Sequence, residues 1–440
     1  MVEDFNNIHP ELTCDHAYQI LSTPIDQLES KSDLYTAAAH LINFPGRQTE
    51  QILLDLLAQS SGEQAVRIAK RKAVEVLARL GATQSVAAIG QCLESDDIYL
   101  VENSVWALQQ LKCCDPVIIN RMLSLLEDKT QNLRILIQCL ASLKVQEGIE
   151  SIRLLQDSES AGVRGAAVSA IAQLTNDKSN LDKIVEHLTL PNQMDRQSAV
   201  QDLIDANASV FLSEIVAAPV SPAFRMRACR QILAGSDSAL IDSTMLSFID
   251  AVLCDNPGNI NIVHEYDQQP SAEFLLQDLF STDFSRCYLS LTGLRNCSTE
   301  ILWPLMSDLW ESAAYNDYGA HYFFMRVFGS RSDWPQAGLR RVLEIIQESI
   351  INRRPQFRKS RAAAIQALHF LSPDLFIKSI PTLLSISVDV PWDCRYMMIV
   401  CIEGIPEMDT SLKVKILNQL TADSDVFVRA RSELCLSHLS

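Results

Sequence analysis

Apolar residues recur along most of this chain at the three- and four-residue spacing of amphipathic helices. One kind of run repeats, at residues 72–77, 104–108, 136–140, 166–171 and 198–203. These runs end at Leu77, Leu108, Leu140, Ile171 and Leu203, so successive spacings are 31, 32, 31 and 32 residues. Residues 227–232 continue the series. A second amphipathic stretch lies between each pair, at 85–93, 116–126, 148–155 and 180–188. Each repeat is therefore a pair of helices. Neither helix can bury its apolar stripe alone, so stacked pairs share one continuous core. Ser95-Asp96-Asp97, Asp128 and Asp157-Ser158 supply cap signals in the connectors.

The pattern divides the chain into segments. Residues 1–60 read as an N-terminal helical cap and 61–237 as HEAT-like repeats. Residues 238–300 read as an irregular helical middle, broken by turns at Asn256-Pro257-Gly258 and at 267–270. Residues 301–440 recover the repeat, with inner-helix runs ending at Leu368, Ile402 and Leu436. The expected fold is all-α: a single curved right-handed HEAT-like α-solenoid with a concave ligand-binding surface.

Composition narrows the function. With 14 Gly and 16 Pro in 440 residues, the many turns of an all-β fold are not provided for. The net charge of −17 argues against nucleic acid as a general partner. The 12 cysteines include no C-x-x-C pair, so neither a zinc knuckle nor a thioredoxin-type site is indicated. The N-terminus has no basic flank and no apolar run, and no stretch reaches the length of a membrane span. A reducing cytoplasm is the expected compartment.

Arginine recurs near the start of the second helix of each pair, as Arg67, Arg134, Arg164, Arg196, Arg227, Arg286, Arg361, Arg395 and Arg429. The Asp…Val-Arg spacing at Asp157–Arg164 and Asp423–Arg429 is a HEAT habit, so most of these arginines are expected to form a structural ladder. Departures from it are more informative. Glu102 and Asn103 stand where arginine is otherwise typical, with Trp106 following as a stacking plate or as core filling. Thr130 and Arg134 lie four apart, as on one helical face. Trp392-Asp393-Cys394-Arg395-Tyr396 mixes aromatic, acidic and basic groups.

The densest departure is residues 315–326, Tyr-Asn-Asp-Tyr-Gly-Ala-His-Tyr-Phe-Phe-Met-Arg. Read as a helix, Asp317 and His321 share a face, with Tyr318 and Tyr322 beside them and Tyr315 one turn earlier. An acid, an imidazole and several phenols together can grip a flat conjugated ligand and move protons on it. An aromatic core helix with polar tips fits the same residues. Two metal ligands at Asp317 and His321 lack an evident third.

The run Tyr-Leu-Val-Glu-Asn-Ser-Val-Trp-Ala-Leu at 99–108, set among HEAT-like pairs with this acidic balance and the Tyr/Asp/His cluster, resembles the E/F class of phycobilin lyases. The resemblance covers most of 60–440. It implies attachment of phycoerythrobilin through a thioether to a cysteine of an α-phycoerythrin subunit in a cyanobacterial cytoplasm, with isomerisation to phycourobilin; the alternative is a lyase without isomerase activity. The bilin is substrate, and no cofactor or metal is implied. Under this resemblance Asp317 serves the pyrrole nitrogens and Tyr318 or His321 transfers protons. Glu102, Asn103, Trp106, Thr130, Arg134, Tyr315, Trp392 and Arg395 contact the bilin, with Arg134 on a propionate. The competing class is a non-catalytic HEAT scaffold that holds a protein. A covalent bilin carrier would instead use Cys139, Cys394 or Cys401, each expected to be packing.

Overall fold

A computed structural model describes residues 9–234, 241–385 and 390–439. Among them every regular element is helical and none is a strand. The chain forms two compact units, residues 1–184 and 185–440.

In the first unit, helices Gln64–Arg79, Ile98–Gln110, Leu133–Ser142 and Ala161–Thr175 each pack on the next, forming an inner row. The shorter Val86–Gln91, Pro116–Leu125 and Ile149–Leu154 pack outside them. Asp97, Asp115 and Asn132 cap the helices that follow by accepting backbone N–H groups. The far ends are also periodic. Gly81, Lys112, Lys144, Asn176 and Asn207 all take positive φ, between 47° and 69°. The amides of Ala82, Cys113, Val145 and Ala208 then donate back to the carbonyls of Leu77, Leu108, Leu140 and Leu203. This is the Schellman closure, which stops a helix with one left-handed residue. Leu77, Leu108 and Leu140, which set the sequence period, are thus the acceptors that end three of these inner helices, and Leu203 does the same for helix Gln193–Asp205 of the second unit.

The second unit departs from simple stacking. Helices Phe284–Leu294, Ala320–Phe328, Arg358–Leu371, Trp392–Glu403 and Val426–Leu439 form its inner row. Helix Ser243–Cys254 packs on Pro222–Ala234 and also on three members of that row, Arg358–Leu371, Trp392–Glu403 and Val426–Leu439. Polar ties fix it there. Tyr396 donates to Asp250 Oδ1 at 2.7 Å, and Arg431 bridges Asp250 and Glu403. Gly329 allows helix Ala320–Phe328 to end against the Arg358–Leu371 helix. A Cβ there would lie 2.6 Å from Ala367 Cβ and 2.8 Å from its Cα.

Asp255 ends helix Ser243–Cys254 with φ of 42° and is fully buried. Its carboxylate accepts from Arg225 at 2.6 Å, from the Tyr288 hydroxyl at 2.9 Å and from the Tyr322 hydroxyl at 2.5 Å. Burial alone would raise this carboxyl, but Arg225 and Arg326 outweigh that and hold it below the usual carboxylate range. One charge therefore ties together helices Pro222–Ala234, Phe284–Leu294 and Ala320–Phe328.

Candidate functional site

Above this network the second unit opens a cavity of about 380 Å³, a size suited to a small ligand. Helix Pro222–Ala234 contributes Met226, Arg227 and Arg230 to its wall. The Ala320–Phe328 segment gives Tyr318 and Tyr322, and helix Arg358–Leu371 gives Arg358 and Lys359. Trp392 and Asp393 close it from the start of helix Trp392–Glu403. The Asp255 network fixes Tyr322 and the Arg225 helix from below, so two walls of the cavity share one anchor.

The cations differ in how they are held. Arg230 pairs with Asp425 at 2.8 Å and lies 4.0 Å over the Trp392 ring, an arrangement that orients the indole. Arg227 and Arg358 are exposed. The Lys359 ammonium nitrogen is buried without a hydrogen-bond partner. It sits 4.0 Å over the Tyr318 ring, with Phe284 and Tyr322 at 5.3 and 5.6 Å. Burial pushes its pKa down to about 8, with Cys287, Asp317 and Asp255 opposing only in part. Burial likewise raises the Asp393 carboxyl, against the pull of Arg358 and Arg361.

No family model matches this chain. It is 48% identical over 411 residues to the bilin biosynthesis protein CpeY of Synechococcus sp. (strain WH8020), covering 93% of this chain and 98% of that one. The chain belongs to the E/F class of phycobilin lyases. A second relative is the uncharacterized phycocyanin operon protein Y of Pseudanabaena tenuis (strain PCC 7409). It is 34% identical over 394 residues, covering 89% of this chain and 92% of that one. Among solved structures, the complex of CpcE and CpcF of phycocyanin lyase from Nostoc sp. PCC7120 aligns with a TM-score of 0.48 at 22% identity, over 57% of this chain and 98% of that one.

The lyase fold distributes the residues singled out in the sequence unevenly. Tyr318 and Trp392 line the cavity. Tyr315 is half exposed in a single 3₁₀ turn, Ala314–Asn316, ahead of it. The stretch 315–326 is not one helix, because the helix begins at Ala320. Asp317 lies before that start, and its Oδ1 accepts the Gly319 and Ala320 amides at 2.8 and 2.7 Å. It acts as a helix-start acceptor rather than as a partner of His321 on a shared face.

His321 is 2% exposed, with Trp310 and Phe357 ring centroids at 5.0 and 4.4 Å. It is not among the residues that line the cavity. Burial pushes its pKa down to about 4, assisted by Arg354, so the imidazole is neutral at neutral pH. Arg395 is a ladder residue, bound to both Asp423 oxygens at 2.6 and 2.8 Å.

Glu102, Asn103, Trp106, Thr130 and Arg134 belong to the first unit. Glu102, Asn103 and Trp106 are half-buried on helix Ile98–Gln110, with Trp106 against the unit's core. Thr130 does not share a helical face with Arg134. It lies in the turn before Leu133–Ser142, bonded to Asp128. Arg134 donates to the Gly162 carbonyl at 2.6 Å. Cys139, Cys394 and Cys401 are buried, and burial raises each thiol, Cys139 to about 12.

The sequence pattern does not single out Lys359, Arg358, Arg227 and Arg230 as lining a cavity. A signal was available in the basic run 353–361, where five of nine residues are Arg or Lys in an acidic chain.

Proposed function

We propose that this chain attaches phycoerythrobilin through a thioether to a cysteine of an α-phycoerythrin subunit. The observation that carries this reading is a cavity walled by cations and aromatic rings in a chain of net charge −17. A bilin is a conjugated linear tetrapyrrole bearing two propionates. Arg227 and Arg358 suit the propionates, and the rings of Tyr318 and Trp392 suit the conjugated system. Asp393 is the carboxylate for the pyrrole nitrogens, where it keeps the bilin protonated and electrophilic. Family membership supports the bilin as substrate. The acceptor subunit is the partner, and a cyanobacterial cytoplasm keeps its thiol reduced.

The reaction is a net addition of the acceptor thiol. Sulfur bonds to the exocyclic ethylidene carbon of ring A, and a hydrogen goes to the adjacent ring carbon. The half-exposed Tyr318 phenol in the same cavity extends the proposal to isomerisation. That step moves a proton from a ring-A carbon to the methine bridge, giving phycourobilin.

Co-production with phycoerythrobilin synthesis and the α-phycoerythrin subunit tests the proposal. The acceptor is expected to emerge covalently coloured, and a phycourobilin absorption band would establish isomerisation. Asp393→Asn is expected to lose attachment with unchanged helical circular dichroism, while Asp317→Asn, still able to cap its helix, retains it. Normal attachment by Asp393→Asn would overturn that assignment. A colourless acceptor with the unsubstituted chain would overturn the function and favour a protein-holding scaffold.

A further inference from the structure

Thioether formation needs a thiolate, and a cysteine thiol ionises with a pKa of about 8.5. At neutral pH a base beside the acceptor sulfur therefore matters. His321, the imidazole in the cluster, is enclosed by Trp310 and Phe357. Lys359, whose nitrogen is also buried, differs from His321 in lining the cavity. Its ammonium nitrogen has no hydrogen-bond acceptor and packs over rings that wall the cavity. The other lining cations are arginines, which keep their protons throughout the working range.

Resting on the lyase reading, the geometry points to Lys359 as the general base that takes the proton from the acceptor cysteine's thiol. The neutral amine accepts that proton and becomes an ammonium. The thiolate sulfur bonds to the ethylidene carbon of ring A. The electron pair of the exocyclic double bond passes to the adjacent ring carbon, which takes a proton back from the ammonium. Lys359 returns to the amine, and one S–H has added across one C=C bond.

The surroundings suit this task. Asp317 and Tyr318 face Lys359 from the turn before helix Ala320–Phe328. Tyr322 and His321 lie on that helix, Cys287 on Phe284–Leu294, and Asp255 at the end of Ser243–Cys254. Arg358 neighbours it on its own helix, and Arg227, Arg230 and Asp393 line the same cavity. Asp255 is already engaged by Arg225 and two phenols, and Asp317 by two amides. Neither carboxylate hydrogen-bonds the ammonium, and burial lowers its proton affinity toward the neutral range. A base with a pKa near the working pH is the effective kind.

The test compares the full chain with Lys359→Arg and Lys359→Met. Two readouts are followed. One is the absorption change when phycoerythrobilin binds without acceptor. The other is the rate of covalent attachment to the α-phycoerythrin subunit between pH 6.5 and 9.5. For the unsubstituted chain, attachment rises through about pH 8 and then levels. Lys359→Arg keeps the positive charge and binds bilin within about threefold. It attaches about 10–100-fold more slowly at pH 7, a loss at or below the low end of general-base effects, and the gap closes as the acceptor thiol ionises at higher pH. Lys359→Met shows the same pH-dependent deficit.

Equal attachment rates for Lys359→Arg and the unsubstituted chain across the range would overturn the inference. So would a rate loss matched by loss of bilin binding at every pH. If the unsubstituted chain attaches no bilin, the lyase reading itself fails and this inference with it.

Discussion

The two units differ in what they do with buried charge. In the first, polar groups are consumed by the repeat. Arg134 reaches the Gly162 carbonyl of the next inner helix, Arg164 bonds the Ser158 and Glu159 carbonyls, and Arg71 holds both oxygens of Asp97. In the second, helix Ser243–Cys254 interrupts the stacking. At its end Asp255 is buried with Arg225 and two tyrosines, and elsewhere in the same unit Lys359 has no acceptor at a cavity wall. The ladder arginines find partners within the repeat, whereas Lys359 lies outside the ladder and finds none. Unpaired buried charge costs stability.

The largest effect should come from the anchor. Asp255→Ala leaves Arg225 charged and buried, and chemical denaturation should show a loss of about 3–5 kcal/mol. Asp97→Ala in the first unit removes a cap and the partner of a part-exposed Arg71. It should cost about 1–3 kcal/mol. Equal losses would erase the contrast between the units.

Next comes His321. Its folded pKa of about 4 lies below the usual His value near 6.5. Between those values the unfolded chain binds a proton that the folded chain does not. Stability should therefore fall as pH drops from 6.5 to 4, by up to about 3 kcal/mol. His321→Phe should flatten that dependence in denaturation curves measured across the window. An unchanged slope would mean that the imidazole is hydrated and reachable.

The smallest effect tests the repeat itself. Lys112 and Lys144 hold left-handed positions that glycine adopts without strain. Lys112→Gly should stabilise the chain by about 0.5–1 kcal/mol. Destabilisation would show that the lysine side chain contributes more than its backbone strain costs.

The helical repeat was legible because the leucines at 77, 108, 140 and 203 set both the period and the closing hydrogen bond. Local spacing suffices for that. Tyr318 and Trp392 were also legible, as aromatic residues where the ladder departs. Lys359 was not, because the rings around it come from positions 284, 318 and 322 and only tertiary packing gathers them. Helical spacing across residues 315–326 makes His321 look available. The helix starts at Ala320, which turns the imidazole into the aromatic interior. Thr130 was misplaced for the same reason, since Asn132 caps the helix two residues later.

If the second unit's cavity holds the bilin, filling that cavity should exclude it. Ala223 lines that cavity from an exposed position on helix Pro222–Ala234, so a larger side chain there fills space without disturbing the core. The decisive measurement is bilin absorbance of purified Ala223→Trp, co-produced with phycoerythrobilin synthesis, beside the unsubstituted chain. Ala223→Trp should carry at least tenfold less bilin with an unchanged melting temperature. Bilin bound at the unsubstituted level would contradict it.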